Sequence, residues 1–319
     1  MYRILSLDGG GMRGLITVTL LRRLEAAAPG WLDQVDLLTG SSTGGILAIA
    51  LARGERPEEL ATLYTTGGRR IFTRTQRERW LALRGILRAG YDNGQLEAEL
   101  RRRLGDLRLS DLPRRLLVPA FALDRSNGHD SGEQGTNGHS NGGGRSWGPR
   151  FFHNFDASGD AAAYKVALYT SASPGYFPAV DGYVDGGVCA YHPGAAALTW
   201  VGAGRVAAEP PASLAETAML SLGTGAVEHY LDGDRYDWSL ARWLPSMLRL
   251  LRDGNIGLAE EQCRLLLGER YYRLSPRLPR TFSSDDWAAC DELAQIGEEA
   301  DISAAVAWLQ AVWQGDREA

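Results

Sequence analysis

The sequence predicts an α/β fold built on a mostly parallel sheet, and two observations carry that expectation. Short apolar runs alternate with stretches of helical period along the chain, and each of the first two apolar runs ends in a glycine-rich turn that feeds a helix. At 319 residues and 44% hydrophobic content the chain has enough material for a sizeable core, which excludes disordered and fibrous classes.

The elements follow in order. Tyr2–Leu7 is a short apolar run, and residues 15–28 continue with helical period through Val18, Leu21 and Leu24 until Pro29-Gly30 stops them. Residues 35–39 read as a second strand and residues 45–52 as a second helix, so Ser41-Ser42 falls on the turn between them. Residues 57–105 read as mostly helical and arginine-rich, with the stretch around Trp80 to Leu87 a candidate lid or docking surface. Residues 116–123 read as a buried strand of a parallel or mixed sheet.

From 126 to 146 the composition collapses into Gly, Asn, Ser and His, with Asn-Gly-His at 127–129 and again at 137–139. Strand-like sequence resumes at 150–155, so this stretch reads as a flexible insert within one domain, and shortening it should leave the fold intact. Residues 160–171 read as a helix ended by Pro174, and residues 179–184 as a strand whose end carries Asp185. Residues 214–222 run into Gly223-Thr224-Gly225. Leu240, Trp243, Leu244, Met247, Leu248 and Leu251 then share one helical face, with Arg242, Arg249 and Arg252 elsewhere on it and Pro245 a possible kink. Two helices over 287–313 close the chain. The expected organisation is one domain over 1–319, with a core at about 2–225 and a helical C-terminal part at about 238–319.

Composition narrows the function. A formal net charge of −5 gives no general pull toward polyanions, so no nucleic-acid partner is expected. Cys189, Cys263 and Cys290 are odd in number and lack metal-ligand spacing, which suits free thiols and argues for neither a metal nor a disulfide scaffold. No apolar run reaches the roughly 18 residues of a membrane span. Tyr2–Leu7 already reads as strand, leaving no room for a secretory leader, so a cytoplasmic location is expected.

Three motifs in this order point to a serine hydrolase without a catalytic histidine: Asp8-Gly9-Gly10-Gly11-Met12-Arg13-Gly14, Gly40-Ser41-Ser42-Thr43-Gly44 and Asp185-Gly186-Gly187. A nucleophilic serine needs an exposed Oγ, which a cramped strand-to-helix turn provides, and Gly40 and Gly44 give that turn room. Ser42, not Ser41, has the Gly-x-Ser-x-Gly spacing. The helix beginning after it directs a partial positive charge at a developing anion. Backbone N–H groups of Gly9, Gly10 and Gly11 are candidate donors to that oxyanion, with Arg13 orienting the loop or adding positive potential.

Asp185 is the candidate base, at a strand end beside a Gly-Gly turn, where α/β sites gather. It must work by close hydrogen bonding to Ser42 in a partly desolvated pocket. His129 and His139 lie in the insert, and His153, His192 and His229 read as surface or structural residues. A rival reading takes Gly9 to Gly14 as a Gly-x-Gly-x-x-Gly phosphate loop. That loop wants an acidic residue ending the next strand about 20 positions on, whereas Asp33 and Asp36 precede Leu37-Leu38.

On these residues the chain resembles the patatin-like phospholipases, lipid acyl hydrolases with a Ser-Asp dyad. Asp8 to Gly14 matches that family's oxyanion motif, Gly40 to Gly44 its nucleophile elbow, and Asp185-Gly186-Gly187 its Asp-Gly-Gly/Ala motif. Ser171-Ala172-Ser173-Pro174-Gly175-Tyr176-Phe177-Pro178 and Leu220-Ser221-Leu222-Gly223-Thr224-Gly225 resemble supporting stretches. Tyr191-His192-Pro193 stands where the family often carries Asn-Asn-Pro, which puts that loop's shape in question. The resemblance implies a three-layer sandwich, Ser42 as nucleophile, Asp185 as proton acceptor, Gly9, Gly10, Gly11, Arg13 and Gly14 at the oxyanion hole, and no cofactor. It also implies a lipid ester substrate. Peripheral membrane contact is a reading of the Leu240 to Leu251 helix, with Trp243 at the interface, against the commoner reading of an apolar helix face as core. A membrane-degrading effector that needs an activator would use the same dyad.

Overall fold

The computed structural model describes residues 1–73, 89–124, 146–156, 160–206, 212–231 and 236–315. At its centre β1 (Tyr2–Leu7) pairs in parallel with β2 (Leu37–Gly40) on one side and β6 (Thr217–Leu222) on the other. β2 pairs in parallel with β3 (Arg115–Ala122), and β6 with β7 (Tyr271–Leu274). Two antiparallel strands lie along β3: β4 (Gly148–His153) and β5 (Tyr183–Asp185). The order is β4-β3-β2-β1-β6-β7, with β5 attached to β3.

Alternation along the strands makes the layers, because successive side chains leave a strand on opposite faces. Leu5, Leu7, Leu38, Leu116, Val118, Leu220 and Leu222 pack into one apolar cluster with α1 (Gly14–Ala27) and α2 (Thr43–Arg53). Tyr2, Ile4, Leu37, Leu117 and Met219 face the other way, onto Leu198 and Val201 of helix Gly194–Gly202 and Cys263 of helix Leu240–Leu267. The result is an α/β three-layer sandwich around a mostly parallel sheet.

Several expectations are corrected. β2 starts at Leu37 because Leu32–Gln34 forms a 3-10 turn and the Asp36 carboxylate accepts the Arg3 N–H at 2.7 Å. Leu214–Glu216 is likewise a 3-10 turn ahead of β6. The C-terminal part is not purely helical, since β7 adds a sheet strand between Leu240–Leu267 and Cys290–Glu299. Helix Pro57–Thr62 runs on through a π-helical turn, Leu63–Gly68, to Ile71. Helix Leu240–Leu267 continues through Pro245, which leaves the Ala241 carbonyl without its i→i−4 donor. The Trp80 to Leu87 stretch and most of the 126–146 insert, with His129 and His139, lie outside the described residues.

Candidate active site

The chain ends of β1, β2 and β6 converge, as the switch points of parallel sheets do. At the end of β2 the backbone turns sharply into α2. Ser42 caps that helix with φ +53° and ψ −124°, a left-handed conformation that costs a non-glycine residue of the order of 1–3 kcal/mol. A Cβ at Gly40 would collide with the Gly44 carbonyl, and one at Gly44 with the Leu7 carbonyl, so the turn closes only with glycine at both. The Ser42 N–H donates to Thr170 Oγ1 at 3.0 Å. Thr170 also packs on Gly45 and Gly186, joining the serine turn to the aspartate turn.

Ser42 Oγ donates to Asp185 Oδ2 at 2.8 Å, and the other carboxylate oxygen accepts the Gly187 N–H at 2.7 Å. Burial pushes the Asp185 carboxyl up to about 6, against the lowering effect of the bonds from Gly187 and Ser42. Ser42 and Asp185 retain 9% and 5% exposure, so the pair is nearly dry yet reaches a cavity. That cavity is lined by Gly10, Gly11, Ser42 and Asp185 at one end and by side chains such as Ile46, Leu63, Ile71, Phe72 and Phe177 beyond. Among the described residues no lysine or arginine lines it. His153, His192 and His229 do not reach it either. His153 stacks on Phe155, and His229 Nδ1 lies 3.0 Å from Asp253.

The glycine loop divides its N–H groups. Gly9 is corrected as an oxyanion donor, because its N–H donates to the Tyr191 carbonyl at 3.1 Å. Gly14, also expected at the oxyanion hole, is corrected in the same way, since its N–H turns back on Gly11 O and Met12 O; the Arg13 N–H likewise donates to Gly10 O. Gly10 and Gly11 line the cavity, and their N–H groups have no partner among the described residues. Side chains at either position would collide with neighbours, Gly10 with Thr224 and Gly11, at φ +58°, with Ser284. The Arg13 guanidinium ties the loop down, donating to Gly225 O at 3.2 Å and Tyr191 Oη at 2.9 Å.

Beneath the loop lies a buried ionic cluster that sequence reading missed. Arg273 of β7 bonds both oxygens of Asp8, at 2.6 and 3.3 Å, and also Ser221 Oγ and Glu260. His192 Nδ1 lies 3.2 Å from Asp8, and its Nε2 3.2 Å from Tyr271 Oη. Burial alone would raise the Asp8 carboxyl, but Arg273 and His192 outweigh it and hold it down at about 2. Tyr191-His192-Pro193 is therefore well anchored: Tyr191 N–H donates to Asn255 Oδ1 and its carbonyl holds Gly9.

The chain is similar in sequence to known proteins. The family model described as Patatin-like phospholipase matches residues 5–198, more than half of the chain. The putative sporulation hydrolase CotR of Bacillus subtilis is 27% identical, over 98% of this chain and 98% of its own. Protein teg of Priestia megaterium is 27% identical over 98% of this chain and 99% of its own. A cGAMP-activated phospholipase of Pseudomonas aeruginosa is 28% identical over 89% of this chain and 81% of its own.

Proposed function

The chain belongs to the patatin-like phospholipase family, and we propose that within it the protein hydrolyses carboxylic esters of phospholipids or related glycerolipids through Ser42 and Asp185. The observation that carries this reading is the 2.8 Å Ser42–Asp185 hydrogen bond at the mouth of an apolar cavity. Ser42 Oγ attacks the ester carbonyl carbon as its proton passes to Asp185 Oδ2. The tetrahedral oxyanion lies against Gly10 and Gly11 N–H and the N-terminus of α2. Asp185 returns the proton to the departing alcohol as the C–O bond breaks, leaving an acyl-Ser42. It then takes a proton from the attacking water, and Ser42 leaves reprotonated.

The apolar walls suit an acyl chain, and among the described residues no basic side chain lines the cavity to pair with a nucleotide phosphate. A fluorophosphonate should label wild-type protein and not Ser42→Ala, and both Ser42→Ala and Asp185→Ala should lose at least 10³-fold in hydrolysis of a defined phospholipid. Labelling that survives Ser42→Ala sinks the assignment. A regulated form of the same activity has one observation behind it, the similarity to a cGAMP-activated phospholipase. It predicts a purified protein whose Ser42 reacts with the fluorophosphonate yet hydrolyses lipid only after a cyclic dinucleotide is added.

A further inference from the structure

We propose that the N-terminal half of helix Leu240–Leu267 is a docking surface for lipid bilayers with anionic headgroups. Its C-terminal half is held in the fold by Ala259, Cys263 and Leu267, all buried. Its N-terminal half is not. Leu240, Leu244, Leu248 and Leu251 recur at the i, i+4, i+8, i+11 spacing of one helical stripe and are 69%, 61%, 80% and 65% exposed. A contiguous apolar stripe left in water on a folded protein marks an interaction surface.

Three further observations select a bilayer as the occupant. Residues 240–252 carry Arg242, Arg249 and Arg252 and no carboxylate, although the whole chain is net negative. Arg242 and Arg249 are exposed, so this half-helix combines an apolar stripe with cationic heads, as interfacial helices do. Two copies pressed together here would instead set like charges against each other. At its start Tyr236, Trp238 and Trp243 form an aromatic group with ring centroids 5.5 and 4.9 Å apart, and Arg242 lies over Trp238 at 4.3 Å. Tryptophan and tyrosine favour the headgroup level of a membrane.

The surface also adjoins the catalytic mouth. Arg252 lies 5.9 Å from the ring centroid of Tyr191, which lines the cavity. Asn255 accepts from the Tyr191 N–H and donates to the Cys189 carbonyl, and Val188 beside them is half exposed. A bilayer gripped by the leucine stripe is thereby brought beside the cavity. The proposal builds on the lipid hydrolase reading, and its test separates the two.

Full-length Ser42→Ala protein, which cannot consume its target, is sedimented with phosphatidylcholine vesicles made with and without phosphatidylglycerol. Binding is expected, stronger with phosphatidylglycerol and weakened by salt. The triple change Leu244→Gln, Leu248→Gln, Leu251→Gln should cut binding ~10-fold or more with the thermal midpoint unchanged. Introduced with Ser42 intact, it should leave hydrolysis of a dissolved short-chain ester in place. Arg242→Gln with Arg249→Gln should remove ~5-fold or more, only on anionic vesicles, and decides the matter alone if the triple variant does not fold. Vesicle binding unchanged by both sets overturns the proposal, as does a wild-type dimer that the triple change dissociates. Absence of ester hydrolysis in wild type would count against the lipase reading and not against docking.

Discussion

At the scale of single residues, Ser42 and Asp185 both hold states that folding alone would not choose. Ser42 sits at φ +53°, a conformation glycine adopts freely, so Ser42→Gly should relieve strain that Ser42→Ala keeps. Both variants should be inactive, with Ser42→Gly the more stable by about 1 kcal/mol in urea unfolding; equal stability of the two would argue against strain at the turn. Asp185 is a buried carboxyl raised to about 6. Below the ordinary carboxylate range it is protonated in both states, and as pH rises through 6 the native state must ionise it in a dry site, so stability is lost. Asp185→Asn should therefore gain of the order of 2–3 kcal/mol over wild type at pH 8, with the gain shrinking toward pH 4. Wild-type kcat/KM should rise with pH through about 6, since only the ionised carboxylate accepts the serine proton. The sequence showed both residues because their turns announce themselves within a few positions. It did not separate Gly9 from Gly10 and Gly11, because the group that occupies the Gly9 N–H is the carbonyl of Tyr191, far along the chain.

At the scale of elements, the shortest strands are the ones that hold the site. β7 contributes Arg273 to Asp8, at the start of the glycine loop, across a sequence separation of 265. The pair is buried, so removing the cation should cost far more than a surface pair would: Arg273→Gln should lose about 3–5 kcal/mol at neutral pH. In wild type the lowered Asp8 carboxyl, at about 2, contributes stability above the ordinary carboxylate range and loses it as pH falls through 2. In Arg273→Gln that contribution disappears, and Asp8→Asn in the same chain should recover part of the loss. Urea titrations of the three proteins at pH 7 and pH 5 measure this; a loss under 1 kcal/mol would show the cluster to be well solvated. β1, β2 and β6 were legible as apolar runs closed by glycine turns. β7 was not, because Tyr271-Tyr272-Arg273-Leu274 offers four residues without alternation and finds its partner β6 only after the long intervening helix. The leucine stripe of Leu240–Leu267 was legible as amphipathic, but whether it faced core or water depended on where the helix leaves the sheet.

At the scale of the whole molecule, the layout indicates that catalysis and folding draw on the entire described chain. The family match ends at residue 198, yet β6, which pairs with every residue of β1, follows it. Helix Cys290–Glu299 packs on α1, where Gly297 lies against Thr19 with no space for a Cβ. Trp313, fully buried, meets Trp31 edge-on at 6.0 Å, donates to its carbonyl at 3.1 Å, and accepts from Arg3 Nε at 2.8 Å. The last helices thus clasp the first strand and add Leu293, Ala305, Leu309 and Trp313 to the apolar cluster around α1. A chain ending after Gly225 would keep all three motifs but lose Arg273 from Asp8, β7 from β6, and the cover over α1. It should show no cooperative unfolding and no fluorophosphonate labelling, whereas the full chain should unfold in one calorimetric transition that coincides with loss of labelling. Two separated transitions, or a truncated chain that still labels, would mean that residues 1–225 fold alone and that the C-terminal part serves access to the site rather than its construction.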